Sequence, residues 1–74
     1  MTLEEEIQSC IRKSFPDAEV TIRDMTGGGD HFEVIVFSSL FKGKLLIEQH
    51  RMVHAVLEPL KDKVHAVAIK TRAL

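Results

Sequence analysis

The segment that decides the fold is residues 41–71, FKGKLLIEQHRMVHAVLEPLKDKVHAVAIKT. Its first half carries apolar residues near a 3.6-residue period, with polar residues between them, which is typical of an amphipathic helix. Gly43 precedes this run and Pro59 follows it, so we expect a helix from about Lys44 to Leu57. The final VHAVAIKT is short and rich in β-branched side chains, which predicts a strand. The apolar stripe of the helical run consists of Leu45, Leu46, Met52, Val53, Val56, Leu57 and Leu60.

The sequence upstream predicts one more helix and a β-hairpin. Thr2 and Glu5 have the spacing of a capping box, and an apolar stripe follows them. Further on, apolar and polar residues alternate over two short runs, as they do in half-buried strands. The glycine-rich loop Thr26–Asp30 separates the two runs and can close an antiparallel hairpin. The predicted elements are a helix over Leu3–Ser14 and strands over Glu19–Asp24 and His31–Ser38.

The predicted order of elements is therefore α-β-β-α-β, in a single domain that spans residues 1–74. A strand that is followed by a helix and then by another strand favours a parallel pair with a right-handed crossover. We therefore expect an α+β fold with a mixed three-stranded sheet in the order 1-2-3. Because a sheet this small needs cover to be stable, both helices should lie on one of its faces.

Composition restricts the function. The chain has 74 residues and a net charge of −1, which argues against a dedicated nucleic-acid binder. Its one cysteine, Cys10, excludes an intrachain disulfide framework and favours a reducing compartment, the cytoplasm or an organelle matrix or stroma. Cys10 falls in the stripe of the first helix, where a small core residue is the simplest interpretation. The sequence has no apolar run of 18 residues, so we expect no membrane partner.

The four histidines are the first candidates for chemistry. His50 and His54 are four residues apart on the second helix, but the sequence between them lacks the glutamate of H-E-x-x-H, so solvated side chains are a better interpretation than a zinc site. His65 opens the last strand; on residue type alone it is a partly buried histidine with a backbone partner. The fourth is His31. The sequence contains none of the nucleophile or phosphate-binding motifs of enzymes, so we expect a protein that is not an enzyme.

Basic residues form a second candidate site. Lys42, Gly43 and Lys44 precede a helix, a place suited to phosphate, and Arg51 and Lys70 add charge. KH domains clamp a nucleic-acid backbone with a G-x-x-G loop, of which this turn supplies one glycine. A solvated turn with ordinary lysines is the simpler interpretation.

Three motifs in fixed order resemble the BolA family. They are F-x-G-K at 41–44, H-R-x-V-x-x-x-L at 50–57 and V-H-A-x-x-I-K-T at 64–71, and GGGDHFEVIVFSSLF at 27–41 is similar to the family's hairpin and its exit. The resemblance covers roughly residues 3–71. It implies the α+β fold of that family, which is similar to class II KH domains. It also implies an adaptor that forms a heterodimer with a monothiol glutaredoxin and acts in iron–sulfur trafficking or in iron and redox regulation.

The resemblance further implies a [2Fe–2S] cluster shared with the glutaredoxin and glutathione. The histidine of the V-H-A segment, His65, resembles one cluster ligand. The family's second ligand comes from the hairpin loop, and because this loop has no cysteine, His31 is its candidate. Such a cluster needs four ligands, mostly thiolates, so we expect the isolated chain to hold none.

Two alternatives stay open. Relatives in bacteria are linked to transcriptional control, which leaves a KH-like regulator that binds nucleic acid through Lys42, Gly43, Lys44, Arg51 and Lys70. The other is an interaction module without a metal.

Overall fold

A computed structural model describes residues 2–28, 31–64 and 66–74, and the order α-β-β-α-β is confirmed. A 3₁₀ turn follows β2 at Ser39–Phe41, and another follows α2 at Glu58–Leu60. Neither α-helix in the described part of the chain is long and apolar enough to cross a bilayer. The main elements are α1 at Leu3–Ser14, β1 at Glu19–Asp24, β2 at His31–Phe37, α2 at Leu46–Leu57 and β3 at Ala66–Arg72.

The sheet has β2 in the middle. β1 pairs with β2 antiparallel, and β3 pairs with β2 parallel, so the predicted mixed sheet in the order 1-2-3 is confirmed. The registers place Ile22, Val34 and Ile69 side by side across the three strands. Because side chains alternate along a strand, these positions share one face of the sheet.

Both helices cover that face, as predicted. Phe32, Val34 and Val36 of β2 are at most 2% exposed, and they form one buried cluster with side chains from both helices. The Phe15 and Phe41 rings meet within it, with their centroids 5.2 Å apart. The helical members of the cluster are Ile7 and Ile11 of α1 and Val53 and Leu57 of α2.

The start of α1 is capped as the sequence predicts. The Thr2 hydroxyl accepts from the Glu5 amide, and the Thr2 amide donates to the Glu5 carboxylate, at 3.2 and 3.1 Å. Two hydrogen bonds hold the pKa of Glu5 below its usual value. The larger effect comes from the Thr2 backbone amide and the smaller from the Thr2 hydroxyl. Farther along, half-buried Cys10 packs against the core, in line with the interpretation of this cysteine as a core residue.

The start of α2 differs from the expectation. The helix begins at Leu46 rather than Lys44, and Leu45 and Leu46 are 69% and 60% exposed, so their assignment to the core stripe is wrong. Gly43 has φ +74, a left-handed conformation that turns the chain, and the Leu45 amide donates to the Glu48 carboxylate at 2.8 Å. The hydrogen bond from the Leu45 amide therefore caps the helix at a point where its first turn lies outside the core.

The ends of two strands also move by a residue or two. β2 stops at Phe37, and Ser38, still extended, is the N-cap of the 3₁₀ segment, where its hydroxyl accepts from the Leu40 amide at 3.2 Å. β3 runs over Ala66–Arg72 rather than 64–71, because the Val64 amide donates to the Leu60 carbonyl at 3.2 Å and so belongs to the preceding turn.

Asp17, in the turn after α1, forms hydrogen bonds with the segment that follows β2. Its carboxylate accepts from the Ser38 hydroxyl at 2.8 Å, from the Ser39 amide at 3.0 Å and from the Ser39 hydroxyl. The Ser39 hydroxyl, then its amide, then the Ser38 hydroxyl lower the pKa of Asp17 to about 2. Because the pKa is depressed by folding, the stabilisation is present above the unfolded value of about 3.9 and is lost as the pH falls toward 2.

Asp17→Asn should therefore lower the free energy of unfolding at pH 7 and flatten its dependence on pH between about 4 and 2. Urea titrations at pH 7, 4 and 2.5 measure both effects. Asp62→Asn is the matched control, since Asp62 is an exposed carboxylate in the turn before β3. Equal pH profiles for Asp17→Asn and the unmodified chain would contradict the role of Asp17.

Candidate functional site

One end of the sheet carries the predicted ligand His31. This exposed residue begins β2, and its register partner on β3 is Ala66, the residue that follows His65 in the sequence. The Met25 amide donates to the His31 carbonyl at 2.8 Å and closes the hairpin. The other predicted ligand, His65, lies outside the described residues, so both ligand assignments stay predictions.

The described half of the hairpin loop is ordered by side-chain bonds. The Asp24 carboxylate accepts from the Thr26 and Gly27 amides at 3.2 and 2.9 Å, and the Thr26 hydroxyl accepts from the Gly28 amide at 3.2 Å. Gly27 has φ +75, which a residue with a side chain rarely adopts. The loop thus leaves β1 in a fixed direction.

A small cavity opens where α1, the end of α2 and the start of β3 meet. Its volume is about 120 Å³, and its lining includes Val64 and Val67, which stand on either side of the V-H-A histidine in the sequence. The rim is polar, with a Lys61–Glu58 ion pair of 2.8 Å. The remaining lining residues are Ile7, His54, Leu57 and Leu60.

The chain has one cysteine, whereas an iron–sulfur cluster is held mostly by thiolates. Among the described residues, no three histidine, cysteine or acidic side chains are grouped so that they could hold a metal ion. The single thiol, Cys10, lies on α1 and packs against the core. A shared cluster fits this chain only as a histidine contributor, with the thiolates supplied by another molecule.

At the opposite end, the basic turn is tied to β3 by one side chain. The Gln49 amide nitrogen donates to the carbonyls of Lys44 and Phe41 at 3.0 and 3.4 Å, while the Thr71 hydroxyl donates to the Gln49 amide oxygen at 2.6 Å. The predicted residues Lys42 and Lys44 are thereby held near the end of β3. Arg51 is exposed on α2.

Lys70 lies in an ion pair on the sheet face opposite the helices. Its amino group is 3.3 Å from one oxygen of Glu33, and the Arg23 guanidinium is 3.3 Å from the other. Glu33 is only 7% exposed, although strand alternation sets it on the open face of the sheet, which neither helix covers. Its basic neighbours on both adjacent strands are the signal that sequence reasoning missed. Part of the positive charge predicted at Lys70 is thus neutralised.

An apolar surface lies beside the basic turn. Leu45, Leu46 and Ile47 are between 57% and 69% exposed at the start of α2. Leu46 also lines an open groove of about 510 Å³ that runs along the end of β3. The sequence pattern assigned both leucines to the core, so it did not predict this exposed surface. The groove is lined by Ile35, Phe37, Leu46, His50, Ile69, Lys70, Thr71 and Arg72.

Comparison with known proteins decides the family. The family model described as BolA-like protein matches residues 2–74. The chain belongs to the BolA family. Protein BOLA2 of Arabidopsis thaliana is 38% identical over 71 residues, covering 95% of this chain and 76% of that protein. The Escherichia coli DNA-binding transcriptional regulator BolA is 30% identical over 79 residues, covering 96% and 75%. The structure of BolA1 from A. thaliana superposes with a TM-score of 0.83 at 27% identity, over 93% of this chain and 88% of that one.

Gln49→Ala should lower the stability of this BolA domain by about 1–2 kcal/mol, because it removes half-buried hydrogen bonds that join three segments. Chemical denaturation measures the change. Gln8→Ala on α1 is the matched control, since Gln8 is also half-buried on a helix. Equal stability of the two variants would show that Gln49 does not hold the basic turn to β3.

Proposed function

We propose that this BolA-family protein is a non-enzymatic adaptor that binds a monothiol glutaredoxin and contributes imidazole ligands to a shared [2Fe–2S] cluster. His65 is the principal ligand and His31 the second. The complex acts in iron–sulfur trafficking or in iron and redox regulation, in a cytoplasmic, matrix or stromal compartment. When bound, the cluster supplies a redox-active iron centre, and imidazole ligation raises its reduction potential relative to an all-thiolate site.

The register of β2 and β3 carries the proposal. It sets His31 beside Ala66, the residue next to His65 in the sequence, at the end of the sheet where the glycine-rich loop emerges. Exposed His31 is accessible to a partner, whereas the one thiol packs on α1. These features support a chain that offers imidazoles and takes thiolates from its partner.

The test is reconstitution of the mixed cluster. The purified chain is combined with a monothiol glutaredoxin, glutathione, iron and sulfide, and visible absorption and circular dichroism are recorded. His65→Ala should abolish or strongly alter the spectrum of the mixed complex, because a lost ligand changes the coordination of iron. His31→Ala should have a smaller effect, because water or a neighbouring group can occupy the position beside a glycine-rich loop.

His50→Ala is the matched control, since His50 lies on α2 and lines the groove at the other end of β3, so the spectrum should stay unchanged. Far-ultraviolet circular dichroism and thermal melting confirm that each variant is folded. If His65→Ala gives the same spectrum and the same glutaredoxin affinity as the unmodified chain, the ligand assignment fails.

Nucleic-acid binding is the second candidate, favoured by the DNA-binding regulator among the relatives and by the fixed Lys42–Lys44 turn. Against it stand the net charge of −1, the ion pair that engages Lys70, and the exposed aliphatic side chains next to the turn. Phosphate binding depends on cations, and aliphatic surface contributes little to it.

If the chain does bind nucleic acid, its affinity should fall steeply with salt, and replacing Lys42 and Lys44 by alanine should reduce the salt slope by up to about two phosphate contacts. Fluorescence anisotropy with a labelled DNA duplex between 50 and 200 mM salt measures the slope. Replacing Arg12 and Lys13 on α1 by alanine gives a control of equal charge change. Absence of binding at the lowest salt would remove this candidate.

A further inference from the structure

The outer edge of β3 is the most distinctive surface that the proposed cluster site does not use. β3 is an edge strand, because within the described chain it pairs with β2 alone. The Arg72 carbonyl accepts from the Ser38 amide at 3.0 Å, so Arg72 directs its backbone groups toward β2. Since backbone groups alternate along a strand, those of Val67, Ile69 and Thr71 point to the outer edge.

The groove at the end of β3 wraps around this edge. Register places Lys70 and Arg72 on the open face with Ile35 and Phe37, whereas Ile69 and Thr71 share the helix-covered face, and residues of both sets line the groove. A molecule in the groove would thus contact the edge from both sides, which is the geometry of an added strand.

The side chains that line the groove indicate which kind of ligand fits it. The open-face side carries Arg72 and Lys70, of which Lys70 is partly neutralised by Glu33, and the helix side carries exposed Leu46 together with His50. Among the described residues that line the groove, none has a carboxylate. A strand with acidic side chains on one face and aliphatic side chains on the other is complementary to both sides, because strand side chains alternate with period two.

A second copy of this chain fits the edge less well. Antiparallel pairing of two β3 strands around Ile69 would set the two Lys70 residues diagonally across from each other, at about 7–8 Å. The Arg72 side chains would join them on the same face. Like charges at such positions oppose pairing, and charged edge strands commonly prevent self-association in this way.

We propose that the outer edge of β3 binds an extended peptide segment of alternating acidic and aliphatic residues from another protein, by strand addition. This surface is centred on the groove at Ile69–Arg72, toward the end of β3 that lies away from Ala66, the register partner of His31. The protein would then hold a client segment at one end while the other end remains available to a cluster-sharing partner.

The experiment uses the full chain and an acetylated, amidated octapeptide that alternates valine with glutamate. Nuclear magnetic resonance titration measures affinity, and amide hydrogen exchange reports pairing. Binding should slow exchange at Val67, Ile69 and Thr71, whose amides face the outer edge. Two control peptides are used: one alternates valine with lysine, and the other has the same valines and glutamates in two blocks. Both should bind at least about tenfold more weakly, because they lose the charge match or the alternation.

Matched variants locate the site. Arg72→Glu and Leu46→Ser should each weaken binding of the glutamate peptide by at least about threefold. Arg12→Glu on α1 and Leu40→Ser in the 3₁₀ turn are the controls, since both residues are exposed but lie outside the groove lining. All four positions are at the surface, and thermal melting checks that the variants fold.

Several results would overturn the proposal. One is an affinity for the glutamate peptide that is the same in Arg72→Glu as in Arg12→Glu, or the same in Leu46→Ser as in Leu40→Ser. Another is peptide binding that leaves exchange at the three outward amides unchanged. If those amides are protected from exchange without peptide, and if the protection increases with protein concentration, the edge would be assigned to a second copy. Competition by a single-stranded oligonucleotide that is lost in Arg72→Glu would assign it to nucleic acid. None of these results depends on the cluster, so failure here and failure of the reconstitution are distinguishable.

Discussion

The buried face of β2 is the constraint on which the rest of this structure depends. Phe32, Val34 and Val36 alternate along the middle strand, and the other buried apolar side chains of the described residues pack with them in one cluster. A chain of 74 residues has material for one such core. Both helices must therefore cover the same face, and the opposite face of the sheet is left to be stabilised by other means.

The opposite face carries a cluster of charged side chains. Glu33 lies between Arg23 and Lys70, one from each neighbouring strand, and it is nearly buried although no helix covers it. The cations themselves are 67% exposed, so the pairs add little stability individually, but they shield the carboxylate and join all three strands. This arrangement also fixes where Lys70 sits relative to the β3 edge.

The parallel crossover gives the two ends of the sheet different characters. At one end, His31 and the glycine-rich loop stand beside the segment that follows His65 in the sequence. At the other, α2 begins close to the end of β3, and Gln49 joins the two through Thr71. Exposed aliphatic and basic residues therefore gather at the end without the proposed ligands. A BolA domain built this way has two different surfaces, one toward each end of the sheet.

Local patterns in the sequence were enough to predict the elements, their order, the strand pairing and the covered face. Those features follow from periodicity and chain connectivity, which a sequence displays directly. The capping box of Thr2 and Glu5 was also predictable, because its two residues are only three positions apart in the sequence. The family resemblance, and with it the candidate ligands His31 and His65, also came from motif order alone.

Only the tertiary structure decided which apolar residues are buried and which charges are engaged. Leu45 and Leu46 fit the helical stripe, yet they lie beyond the core, because burial depends on what packs against a helix turn and not on its period. Glu33 is paired and Asp17 binds Ser38 and Ser39 through contacts between residues ten or more positions apart. The sequence by itself determined the fold and the family; long-range packing determined the shape and charge of the surfaces available to partners.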